Sequence, residues 1–229
     1  MNKLIKLLSI VIAGFCFSTI SFAADVTMKI SIQLPMKSHL GQNLLLFKND
    51  VEAKSNGEIE VQIYDSAQLY KDKEVPAAVG SGSIEAGVAS LTRYVGDIPA
   101  VDIFYQPFLL NSEEKVRKAV AKGSSVRGPI DKAIEGTGST VLWWQAYGSA
   151  VMLSKGSPIR NPSDMKGKKV RVFGKTLGAF VKAAGGAPTL ISGSEQYLAY
   201  QRGTVDVGMT GVSGVMAIEN VYDEIGITW

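Results

Sequence analysis

Cysteine and histidine are almost missing from this chain of 229 residues: Cys16 and His39 each stand alone. Cys16 lies in a segment, 1–23, built like an export signal. Lys3 and Lys6 begin it, an apolar run from Leu7 to Phe17 follows, and Ser21-Phe22-Ala23 supplies the small residues of a cleavage region. The bulky Phe15 before Cys16 argues against lipid attachment there. Past residue 23 there is no cysteine for a disulfide, a thiolate nucleophile or a thiolate-bound metal. With one histidine and no carboxylate cluster at ligand spacing, no metal site and no cofactor are expected. Long apolar runs are also lacking. The leader's run is shorter than the roughly 20 residues that span a bilayer, so the product is expected to be soluble and periplasmic.

Catalytic signatures are missing as well. Gly80-Ser81-Gly82 and Gly211-Val212-Ser213-Gly214 do not have the spacing of a nucleophile elbow, and a serine triad would have a single choice of base. Gly174-Lys175-Thr176 lacks the preceding glycine of a phosphate loop. No catalytic residue is named, and an exported enzyme stays only as an alternative. Charge of either sign is in small excess at most: 24 basic residues face 21 acids, and removal of Lys3 and Lys6 lowers the net charge to about +1. Lys166, Lys168, Lys169 and Arg171 cluster at a strand start, but no basic stripe interleaved with stacking aromatics exists, which excludes a nucleic-acid partner.

What the chain does have is a phrase used twice, Gly82-Ser83-Ile84-Glu85-Ala86-Gly87-Val88-Ala89-Ser90 and Gly203-Thr204-Val205-Asp206-Val207-Gly208-Met209-Thr210-Gly211. Each reads as a helix stopped by glycine, then a short buried strand that ends in a hydroxyl. Two such units so far apart predict two α/β lobes with a ligand cleft between them. Around them the pattern alternates. Thr27 to Gln33 and Ile59 to Ile63 read as strands, and Ser38 caps a helix ended by Asn56-Gly57. The helix in Lys71 to Ser81 kinks or starts late at Pro76. Pro99 to Leu110 reads as a buried connection, Glu113 to Gly123 and Val126 to Ile134 as helices, and Thr140 to Trp144 as a strand crossing between lobes. Val170 to Val172, Pro188 to Ile191 and Val205 to Thr210 follow as strands, with helices at Leu177 to Ala184, at Glu195 to Arg202 capped by Ser194, and at Ser213 to Asn220. The divisions expected are 1–23 leader, 24–139 first lobe, 140–150 hinge and 151–229 second lobe.

The run Asn161-Pro162-Ser163-Asp164-Met165-Lys166-Gly167-Lys168-Lys169-Val170-Arg171-Val172 resembles a segment of DctP-type substrate-binding proteins of tripartite ATP-independent periplasmic (TRAP) transporters. Further landmarks come in family order: Asn56-Gly57-Glu58-Ile59 followed by Ala67-Gln68-Leu69, Pro107-Phe108-Leu109, Gly148 ahead of Pro158-Ile159, and Ser194-Glu195-Gln196-Tyr197 running into Gly203-Thr204-Val205-Asp206. The resemblance implies an α/β fold of two-lobed periplasmic-binding-protein-like (type II) architecture, its second lobe incomplete by C-terminal truncation. It implies a monomer that captures a small organic acid and delivers it to TRAP membrane subunits. A binding protein of an ABC importer or a receptor shares that architecture and is the alternative.

By the same resemblance Arg171 matches the arginine that grips the ligand carboxylate, Gln33 a polar contact position, and Ser90 and Thr210 the ends of the repeat strands. A guanidinium offers two parallel donors to a carboxylate, and Val170 and Val172 frame this one with apolar neighbours; the competing reading is a surface arginine on an edge strand. Ala150 stands where many relatives carry a second arginine and Gly193 where some carry an aromatic ring, which implies a roomier, less electropositive pocket and favours a monocarboxylate over a dicarboxylate. Tyr147 and Phe173, with Trp144, are expected to line that room, core packing being the competing role for the aromatics of the crossing strand. His39, in the first turn of the first helix, reads as a solvent-exposed helix start with ligand contact as the alternative.

Overall fold

A computed structural model describes residues 24–217, Tyr222 and 226–228. The leader at 1–23, and residues 218–220 of the expected last helix, lie outside them.

The chain forms two separate sheets. In the first, β1 (Val26–Ser31) lies between β2 (Ile59–Tyr64) and the two-residue β3 (Ala86–Gly87), all parallel, with Val26 facing Ile59 and Ile30 facing both Ile63 and Ala86. Parallel pairing needs a crossover, and α1 (His39–Lys54) supplies it between β1 and β2. Leu40 and Leu44 on its inner face pack with Ile30, Ile32 and Val61. The second sheet runs β6-β5-β7-β4-β8: β6 (Ala187–Leu190), β5 (Lys169–Val172) and β7 (Val207–Gly211) are parallel, while β4 (Ala150–Lys155) is antiparallel to both β7 and β8 (Ile227–Thr228). The two repeat strands, β3 and β7, thus belong to different sheets, as two lobes require. Among the described residues no helix is long and apolar enough to cross a membrane.

Local chemistry explains most boundaries. The Ser38 side chain accepts from the Gly41 amide at 3.1 Å and closes the start of α1. Replacing Ser38 by alanine is expected to cost about 1 kcal/mol in urea denaturation, with the midpoint lowered and the slope unchanged. Gly82 and Gly203 hold the left-handed backbone, φ +74° and +66°, at which both repeat helices stop. α2 (Val75–Gly80) begins late because Pro76 lacks the amide proton that an earlier start would use, and it sits in the first turn instead. α3 (Glu113–Val120) and α4 (Arg127–Glu135) follow as expected.

Three expectations are corrected. Thr140 to Trp144 forms no strand. It is irregular chain whose Trp144 donates its indole proton to Asp131 at 2.7 Å and packs edge-on to Phe104. Ser194 does not cap the helix after it. Ser192 takes the capping position of a tight turn, Gly193–Glu195, and the helix Gln196–Gln201 begins after that. The connection from Pro99 to Leu110 buries Val101 but turns outward at Phe108, which adopts a left-handed φ of +64° and is 82% exposed.

Candidate functional site

Parallel strands release their side chains at their C-terminal ends, and a cleft that faces those ends collects them. Gln33 follows β1, Phe173 follows β5, and Thr210 lies near the end of β7. Arg171 is inside β5, with β6 and β7 on either side, so the edge-strand reading fails.

The Arg171 side chain is buried, with 2% of its surface exposed. Its Nε donates to the Ile191 carbonyl at 2.8 Å and its Nη1 to the Met209 carbonyl. The guanidinium carbon sits 5.4 Å from the centre of the Phe173 ring, a cation–π distance. Among the described residues no carboxylate forms a salt bridge with it. A guanidinium carries five N–H groups. Two are used, so the outer edge, Nη1 and Nη2, still presents a planar fork. Burial, and then the repulsion of Arg93, push its pKa down to about 10, so the group is charged at neutral pH.

Two cavities lie near Arg171, one lined by Phe173 and the other by Gly193, although Arg171 itself lines neither. The smaller, about 20 Å³, is bounded by Leu34, Tyr147, Gly193, Gln196, Thr210 and Tyr222 among others. Burial pushes the Tyr147 phenol up to about 12, against the pull of the Thr210 hydroxyl, so it remains a neutral donor. Gln33 approaches this group from the first sheet. Its Oε1 lies 2.8 Å, and Arg171 Nη2 3.6 Å, from the point where a β-carbon on Gly193 would sit. An aromatic residue at 193 would therefore displace Gln33. The larger cavity, about 340 Å³, has Val95, Val172, Phe173, Pro188 and Leu190 as apolar walls and Thr92, Arg93 and Lys175 as polar ones.

The structure thus brings Arg171, Gln33, Tyr147, Thr210 and Phe173 together. Ser90 lines neither cavity. Its backbone amide instead donates to Asp72 Oδ1 at 2.8 Å. His39 is half-buried rather than solvent-exposed, its Nε2 3.1 Å from the Ala146 carbonyl and its ring 6.0 Å from that of Tyr147. Trp144 lines neither cavity and packs in the first lobe.

The sequence reading missed one pair. Asp72, 1% exposed, holds Arg93 through a 2.5 Å contact between Oδ2 and Nε. Nothing in Lys71-Asp72-Lys73 marks the acid as buried, and the partner is 21 residues away. The pair bears on the inference from Ala150 without deciding the preference for a monocarboxylate. A second arginine does stand beside Arg171, close enough to depress its pKa, and it is Asp72 that cancels the charge.

The profile of the DctP family, bacterial extracellular solute-binding protein, family 7, matches residues 30–220. The chain belongs to the DctP family. This DctP-family chain is 30% identical over 196 residues to the C4-dicarboxylate-binding periplasmic protein DctP of Rhodobacter capsulatus, covering 84% of this chain and 58% of the relative. Its fold is similar to that of a TRAP periplasmic solute-binding protein from Sulfurospirillum deleyianum with bound succinate, at a TM-score of 0.81 and 26% identity, over 88% of this chain and 64% of that one. It is also similar to one from a Polaromonas species bound to D-erythronate, at a TM-score of 0.81 and 25% identity, over 87% and 65% of the two chains. The DctP-family chain spans less than two thirds of the length of each of these proteins.

Proposed function

We propose that this chain is the ligand-binding part of an extracytoplasmic solute-binding protein. It captures a small organic acid in the periplasm and hands it to TRAP membrane subunits, without performing chemistry on it. Export is assigned to the leader at 1–23, and the lobes to 24–139 and 151–229 around a hinge at 140–150. One observation carries the reading: Arg171 is a buried cation with no salt bridge to a carboxylate among the described residues, and only its Nε and one N–H of Nη1 are taken up by carbonyls. A buried charge is costly unless it is paired, and an arriving carboxylate supplies the pair.

A monocarboxylate fits better than a dicarboxylate. Asp72 already neutralises Arg93, so Arg171 is left as the buried cation to be matched, and the 340 Å³ cavity lined by its neighbour Phe173 has largely apolar walls that suit an uncharged body. The similar structures, with succinate in one and D-erythronate in the other, bracket this choice without deciding it.

Thermal unfolding of the full chain against a panel of small mono- and dicarboxylic acids tests both levels. A ligand present at 100 times its dissociation constant stabilises by about 2.7 kcal/mol, a shift of several degrees. At least one monocarboxylate is expected to give such a shift and succinate a smaller one. A larger shift with succinate than with any monocarboxylate reverses the preference, and no shift with any acid removes the reading.

A further inference from the structure

Among the described residues, one ion pair joins the half of the molecule built on the first sheet to the half built on the second. Lys71 follows β2, and Glu195, 124 residues away, closes the turn Gly193–Glu195 between β6 and β7. Their Nζ and Oε1 atoms are 2.8 Å apart. The other ion pairs each stay within the first half. Both partners stand on backbone that is already held. Ser31 Oγ, at the end of β1, accepts from the Tyr70 amide and donates to the Tyr70 carbonyl, each at 3.1 Å. The Lys71 amide donates to Glu74 Oε2 at 3.0 Å, and the next residue, Asp72, is tied to Arg93 and to the Ser90 amide. On the other side the Glu195 amide donates to the Ser192 carbonyl at 3.0 Å. The turn that carries Glu195 also carries Gly193, which lies against Gln33 Oε1 and Arg171 Nη2. One short turn thus meets the buried cation with one residue and the opposite half of the molecule with another.

We propose that the Lys71–Glu195 pair is a salt-sensitive latch that holds the two halves closed over Arg171 and slows their separation. Other contacts across the junction are uncharged: Tyr105 packs edge-on to Phe173 with ring centres 5.9 Å apart, and Thr92 and Gln33 lie against Gly174 and Gly193. Contacts of that kind favour closure at any ionic strength. The ion pair adds a component that salt removes, because its side chains are 42% and 40% exposed and exposed charges are screened when the Debye length falls to about 3 Å in 1 M salt. Each partner favours the charged form of the other: the Glu195 carboxylate raises the Lys71 pKa, and the Lys71 ammonium lowers that of Glu195. Glu74 near Lys71 and Lys73 near Glu195 act in the same sense. An exposed pair contributes modestly, about two- to fivefold in the ratio of closed to open molecules, which tunes release without preventing it. Neither side chain lines a cavity near Arg171, so the latch acts on any acid that the site encloses.

The scarcity of cysteine makes the test clean. With Cys16 replaced by serine, two introduced thiols are the only ones to label. Spin labels at Ala53→Cys and Ala183→Cys, both exposed and on helices in opposite halves, report the separation of the halves in the full chain. In about 0.1 M sodium chloride, Lys71→Gln is expected to move the closed-to-open ratio about two- to fivefold towards open. Raising the salt to about 1 M is expected to open the parent by a similar factor and to change the variant little. Lys71→Glu and Glu195→Lys, each alone, are expected to open the molecule further, and the two together to recover part of the ratio. Glu74 and Lys73, whose signs suit the original pair, limit that recovery. Parent-like distances in Lys71→Gln overturn the latch, and so does a double reversal no more closed than either single one. The readout needs no ligand, so a failed latch leaves the carboxylate reading standing.

Discussion

Replacing Arg171 by alanine is expected to lower affinity for the cognate acid by about 2 to 5 kcal/mol, roughly thirtyfold to several thousandfold. The substitution removes the free donors and leaves the bound carboxylate desolvated without a partner. Read from the sequence alone, the empty protein should gain or keep stability, since an unpaired cation contributes nothing to it. The structure reverses that expectation. Arg171 satisfies the Ile191 and Met209 carbonyls, and its removal leaves both buried and unpaired. At about 1 to 3 kcal/mol for each orphaned group, less the relief of a desolvated charge, the empty variant is expected to be less stable than the parent by a few kcal/mol. Arg171→Lys retains the charge but not the fork, so its affinity should fall by less. The charge itself gives little pH dependence in the working range. Burial lowers the Arg171 pKa to about 10, the protonated form is the one that binds, and affinity is therefore expected to stay flat from about pH 6 to 8.5 and to fall as pH rises through about 10. Calorimetry with the acid that gives the largest thermal shift reads the first effect, and urea denaturation of the empty protein reads the second. Parent-like binding by Arg171→Ala would show that the anchor is elsewhere.

How far the site was legible depended on how local its causes were. The strand end near Thr210, the cap at Ser38 and the glycine stops at Gly82 and Gly203 follow from neighbours in sequence, and the structure has them there, while the first strand stops at Ser31, two residues short of Gln33. Arg171 was legible because a charge between two valines contradicts a buried strand unless something arrives to match it. Trp144 was misplaced because its strand-like surroundings gave no sign of Asp131, the side chain that takes its indole proton. The oxygens of Gln33 and Gln196, buried and without a partner among the described residues, have no sequence signature at all. Glutamine is common on surfaces, and here Gln33 Oε1 and Gln196 Oε1 lie close against Gly193 and Gly208, where a side chain would collide with them. Ala150 could say nothing about Arg93, a residue distant in sequence whose charge acts on Arg171.

Asp72→Asn is expected to be among the most destabilising single changes in the chain, at about 3 to 5 kcal/mol, since it breaks a buried ion pair by removing one partner. Both side chains are buried, 1% for Asp72 and 8% for Arg93, so solvent screening gives little relief. Asparagine keeps the shape and can still accept from the Ser90 amide, which isolates the charge as the cause. What remains is an uncompensated Arg93 close to Arg171, two like charges in one cleft with nothing between them. The same change should alter selectivity in the opposite sense to stability. With Arg93 unmatched, a second carboxylate becomes the natural counter-ion, and binding of succinate relative to a monocarboxylate should rise, on the order of tenfold or more for a charge pair in a closed site. Arg93→Met in the Asp72→Asn background removes the stranded cation and should recover much of the lost stability while abolishing the gain for succinate. Urea denaturation of the parent, the two single variants and the double variant gives the coupling energy directly. A cost below about 1 kcal/mol for Asp72→Asn, or an unchanged preference between succinate and monocarboxylates, would show that Arg93 is solvated in the working protein and takes no part in setting the charge of the cleft.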